Sequence, residues 1–139
     1  MNSFRDIPIR IEPLSTPEDL VIAKAILHEI QAFLERLSSG GEGGTIDLRS
    51  LPAVNAASLH LLETWLPPGE VTATVTGTGT TEIRETIYAG VWWLVCKSRR
   101  GEIITEAIQV ARVPDLLLSQ AVDIERGAKK LGGLLAATP

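Results

Sequence analysis

Glu82–Val110 reads EIRETIYAGVWWLVCKSRRGEIITEAIQV, and its patterning divides it into three short strands joined by two tight connections. Glu82–Ala89 sets Ile83 and Ile87 against polar neighbours. Gly90 then supplies a break where φ can turn positive. Val91–Lys97 is apolar almost throughout, as a strand covered on both faces is. Ser98-Arg99-Arg100-Gly101 is a polar turn, and Ile103–Val110 returns rich in β-branched residues. The centre is therefore an antiparallel meander.

Upstream, Met1–Pro13 alternates Ile7, Ile9 and Ile11 with polar residues and reads as an extended arm or edge strand, the one setting that tolerates Pro8. Thr16-Pro17-Glu18-Asp19 has the form of a helix start: an N-cap, proline at the first helical position and acids in the first turn. Leu20, Ala23, Leu27, Ile30, Leu34 and Leu37 then recur at spacings of three and four. The helix ends at Ser38-Ser39-Gly40-Gly41. Gly40–Gly44 has the glycines of a phosphate cradle but no Lys-Ser/Thr pair, so a plain connection is expected. Thr45–Leu48 predicts a short strand. Asn55 predicts the cap of a second helix carrying Leu59, Leu62 and Leu66, stopped by Pro67-Pro68-Gly69. Glu70–Thr76 predicts a strand before the meander. A third helix is expected from Asp115 to Leu131, ended by Gly132-Gly133, with a frayed tail over 132–139. This order predicts one α+β domain over 1–139. Its antiparallel sheet has about four to five strands, with helices packed mainly on one face.

A hydrophobic fraction of 45% and a charged fraction of 22% are those of a globular chain. The net charge of -4 argues against binding to a phosphate backbone, and hence against nucleic acid as partner. Lys97, Arg99 and Arg100 cluster at one turn and read as a solvated hairpin tip. One cysteine, Cys96, excludes an intramolecular disulfide. No apolar run reaches the length of a membrane span and no N-terminal h-region is seen, so the expected compartment is the cytoplasm.

The two histidines, His28 and His60, fall on separate helices, with no H-x-x-x-H, no C-x-x-C and no helical carboxylate pair beside them. The expected protein is not an enzyme and holds no metal or cofactor. The alternative is a small ligand-binding or catalytic domain with a pocket between sheet and helices, containing a histidine and a carboxylate. Trp92 and Trp93 are consecutive in a strand and point to opposite faces. Tyr88 and Trp92 therefore form a contact patch if helices cover only the other face; a terminal helix or a second copy covers that patch otherwise. Glu85 shares the face of Ile83 and Ile87, where a carboxylate needs a hydrogen bond. Either a backbone turn such as Gly90 or a partner supplies it.

Three segments, LPAVNAASLHLLETWLPPGEVTATV, IRETIYAGVWWLV and IQVARVP, resemble in order and spacing the hydrogenase expression/formation proteins of the HupH/HyaF/HoxQ type. The pattern I-Q-E-T-x-x-x-G-x-W of that family stands here as Ile83-Arg84-Glu85-Thr86-Ile87-Tyr88-Ala89-Gly90-Val91-Trp92, with Arg84 where the family usually has Gln. The likeness covers Ile46 to Pro114, in a chain shorter than the family usually shows. It implies a non-catalytic accessory role, a chaperone for the small subunit of an uptake [NiFe] hydrogenase, acting beside a thioredoxin-like accessory protein. A part in nickel incorporation is also attached to the family. One cysteine, two histidines and Met1 as sole methionine cannot build a soft metal site within one chain, which favours the chaperone. Glu85, Tyr88, Gly90 and Trp92 are the expected partner-binding surface, and a homodimer is expected.

Overall fold

Two helix starts are built on one shared amide. In the computed structural model, which describes residues 14–139, Thr16 caps α1 (Pro17–Ser38) and Asn55 caps α2 (Ala56–Trp65). Thr16 Oγ1 accepts from the Asp19 N–H at 3.2 Å, and Asp19 Oδ2 accepts from the Thr16 N–H at 2.9 Å. Asn55 Oδ1 and Ser58 Oγ repeat this reciprocal pattern, both at 2.9 Å. The Asn55 amide then donates to Asp19 Oδ1 at 2.9 Å, joining the two caps. The Thr16 backbone N–H, then the Asn55 amide, hold the Asp19 carboxyl below the usual carboxylate range, against an opposing effect of burial.

A carboxyl depressed in the folded state stabilises the fold above its unfolded value, and that stability is lost as pH falls through the folded value. Melting temperature is therefore expected to drop more steeply in wild type than in Asp19→Asn between about pH 6 and pH 3. Equal slopes would remove the cap junction from the acid response.

The strands are β1 (Gly44–Asp47), β2 (Pro68–Thr76), β3 (Thr80–Thr86), β4 (Val91–Lys97) and β5 (Ile103–Val110). They form one sheet in the order β1-β5-β4-β3-β2, every neighbouring pair antiparallel. This is the expected α+β architecture. Trp93 stands between Arg84 and Ile108, and Trp92 between Glu85 and Gln109. Alternation therefore sends Ile46, Val91, Trp93, Ile108 and Val110 to one face, where Ala23, Ile26 and Ile30 of α1 and Leu62 and Leu66 of α2 close the core. The buried line of α1 runs Asp19, Ala23, Ile26, Ile30, flanked by half-buried Leu27, Leu34 and Leu37 of the expected stripe; of that stripe only Leu20 is exposed.

The opposite face does not leave a tryptophan open. Trp92 is 5% exposed, and its indole N–H donates to the Ala111 carbonyl at 3.0 Å. Beyond β5 the chain turns back over this face. The Asp115 N–H donates to the Gln109 side chain at 3.3 Å, and Pro114 is fully buried.

Asp115–Leu117 is a 3-10 turn rather than the start of the last helix. That helix, α3, spans Ala121–Ala137 and runs straight through Gly132-Gly133. Neither glycine has a positive φ, so neither makes the left-handed cap expected of it. No residue of α3 is buried. The expected arm at 1–13 lies outside the described residues.

Candidate functional site

The loop between β3 and β4 is held from beneath and presents two apolar side chains. Glu85 Oε2 accepts from the Gly90 N–H at 3.3 Å, the first of the two partners expected for it. Gly90 adopts φ +86°, which only glycine takes without strain, and its carbonyl accepts from the Ala111 N–H at 2.9 Å. Thr86 is buried, and its hydroxyl accepts from the Tyr88 N–H and donates to the Tyr88 carbonyl, at 3.2 and 3.3 Å. The Tyr88 carbonyl also accepts from the Val91 N–H at 3.0 Å. Ile83, 1% exposed, and Trp92 anchor the two strand ends. What emerges is Ile87 and Tyr88, 57% and 48% exposed.

Of the expected surface residues, Tyr88 is exposed, Glu85 and Gly90 are half-buried and Trp92 is buried; Glu85, Gly90 and Trp92 build the turn that carries Tyr88. Ile87 points out although the alternation placed it inward, because β3 ends at Thr86.

Tyr88 borders an apolar groove of about 620 Å³. Its wall along α1 is Lys24, Leu27, Ile30, Gln31 and Leu34, and Trp65 and Leu66 close it from the end of α2. A neighbouring cleft of about 370 Å³ holds Leu34, Glu85, Gly90 and Arg112. The groove was out of reach of a strand-by-strand reading, since it joins residues from two helices and a loop. The one sequence signal pointing to it is that Leu27 and Leu34 lie at helical spacing with Lys24 and Gln31.

Other candidates fall elsewhere. His28 is exposed on α1 and His60 half-buried on α2; neither lines the groove. Among the described residues no group of three or more His, Cys, Asp or Glu is placed to hold a metal ion. On the core face, Trp93 donates its indole N–H to the buried Glu106 at 2.8 Å, and the Arg84 guanidinium lies 4.9 Å over its ring. At the far end of the sheet Lys97 pairs with Glu82 at 3.3 Å, and Arg99 donates to the Thr78 carbonyl at 2.8 Å, tying two turns together. The Gly40–Gly44 loop is likewise anchored rather than loose: the Gly41 N–H donates to the Arg36 carbonyl, and the Arg36 side chain to the Gly43 carbonyl.

Residues 20–138 match the family model described as HupH hydrogenase expression protein, C-terminal conserved region. The chain belongs to this family. Among curated relatives of this HupH region, the hydrogenase expression/formation protein HoxQ of Azotobacter vinelandii is 37% identical over 122 residues, covering 85% of this chain and 42% of that protein. The hydrogenase expression/formation protein HupQ of Azotobacter chroococcum is 35% identical over 111 residues, covering 78% of this chain and 38% of that protein. The chain thus spans roughly two fifths of the curated relatives it matches. The solved structure of hydrogenase expression protein HupH from Thiobacillus denitrificans superposes with a TM-score of 0.78 at 34% identity, over 84% of this chain and 96% of that one. Among the described residues no helix is long and apolar enough to cross a membrane.

Proposed function

We propose that this HupH-family chain is a non-catalytic chaperone of hydrogenase maturation, working in the cytoplasm. It receives an apolar segment of the hydrogenase small subunit, alongside a thioredoxin-like accessory protein. The observation that carries this reading is the pairing of a rigid loop presenting Ile87 and Tyr88 with an apolar groove beside it. A groove lined mainly by leucine, isoleucine and tryptophan fits an apolar helix better than a polar substrate. An exposed aromatic at the rim is the type of residue that dominates binding energy.

The test is capture of partners from cells expressing hydrogenase, with wild type and Tyr88→Ala as baits. Wild type recovers the unexported small subunit, and Tyr88→Ala recovers about tenfold less, the effect of losing one strong contact. Equal recovery by both baits would move the contact off the loop. Capture by neither would remove the small subunit as client.

A further inference from the structure

The last helix and the groove are two open apolar surfaces in one molecule. On α3, Ala121, Ile124, Ala128, Leu131 and Leu135 recur at spacings of three and four, the repeat that packs one helix against another. Ile124, Leu131 and Leu135 are each more than half exposed. The charges of the other side pair within the helix, Arg126 with Asp123 at 3.5 Å and Lys129 with Glu125 at 3.3 Å. The apolar stripe is therefore what α3 offers a partner.

We infer that α3 is exchanged between two copies of this chain, its Ile124–Leu135 stripe seated in the groove between α1 and α2 of the other copy. Three observations select this occupant. First, α3 follows extended residues at Leu118 and Gln120 and buries no residue of its own, so its stripe is not seated in the groove of its own copy. Second, the wall of the groove is itself a helix, α1, whose Leu27, Ile30 and Leu34 offer an apolar seat for another helix's stripe.

Third, the areas discriminate. Half the lateral surface of the stripe Ile124–Leu135, about 18 Å long and 10 Å across, is about 280 Å². A single stripe-to-stripe contact buries about 560 Å² in total, the level of a packing contact, whereas reciprocal exchange buries about 1,100 Å², above the roughly 1,000 Å² that a specific interface clears. The inference concerns the chain with itself and stands whichever client is served; a client using the same groove competes with α3.

The test is sedimentation of the purified full chain across a concentration series. Wild type is expected as a dimer at about 50 μM, with Leu131→Glu weakening the dimer at least about 100-fold, since a carboxylate enters an apolar seat. Leu27→Glu in the groove does the same. Far-UV circular dichroism checks folding, and Tyr88→Glu, on the exposed rim, replaces Leu27→Glu if that variant unfolds. Mixing the stripe and groove variants in equal amounts restores a weaker heterodimer, because one good stripe still meets one good groove. A wild type monomeric throughout overturns the exchange. So does a dimer indifferent to Leu131→Glu, or one lost with Leu131→Glu but unaffected by both groove variants. Failure here leaves the client capture experiment unaffected, and failure there leaves the dimer.

Discussion

Trp93→Ala is expected to destabilise the fold by about 3–5 kcal/mol, a large share of what a domain of this size has. The indole is 1% exposed and lies at the centre of the sheet between Arg84 and Ile108, under α1 and α2. Removing it opens a cavity at the contact of both layers, and it takes the donor from Glu106, a carboxylate 6% exposed. A buried acceptor left without its donor adds to the cost. Trp93→Phe keeps one aromatic ring in the core while losing the N–H and the second ring, so it removes the hydrogen bond but opens a smaller cavity. Thermal unfolding should place Trp93→Ala about 10–20 °C below wild type, with Trp93→Phe in between. A loss for Trp93→Ala under about 5 °C would mean that the helices do not rest on this ring.

Gly43→Ala is the second large effect, about 2–3 kcal/mol, and it acts on backbone rather than core. A methyl group at Gly43 would overlap the carbonyl of Val110, in the strand that β1 must pair with, and a backbone oxygen cannot swing aside as a side chain can. The neighbouring Gly44 is equally enclosed, its added carbon meeting the Phe33 ring at 2.5 Å. The substitution should lift β1 from the sheet edge. Faster amide exchange at Ile46 and Leu48, whose N–H donates to the Glu106 carbonyl at 2.9 Å, reports that directly. Gly77→Ala is the control: nothing lies within 4 Å of its added carbon, and its φ is not positive. Its stability should stay within about 0.5 kcal/mol of wild type.

The parts legible in the sequence were those governed by neighbours a few residues apart. Thr16 and Asn55 each cap through a residue three places on, so both helix starts stand where their signals put them. The turns at Gly90 and Gly101 take the positive φ that glycine allows. Glu85 meets Gly90, five residues away, within one turn.

What escaped depended on distant chain. Whether Trp92 is open or covered is decided by Ala111 and the residues beyond it, and no periodicity in β4 reports that. Gly132-Gly133 looked like a stop because glycine favours helix ends, yet a helix tolerates it at a cost of about 1 kcal/mol each. The groove at Tyr88 exists only after α1, α2 and the β3–β4 loop have met.

The strand order β1-β5-β4-β3-β2 also sets a timetable. Four strands, β2 to β5, are joined in series by three short turns, and such local pairings form early because little loop entropy opposes them. Among the described residues, the first strand has no neighbour until the last appears, because β1 pairs there only with β5. During synthesis the leucine-rich side of α1 must therefore wait, unsheltered, for the far end of the meander to emerge, and the molecule passes through the stage at which a nascent chain is most prone to stray association.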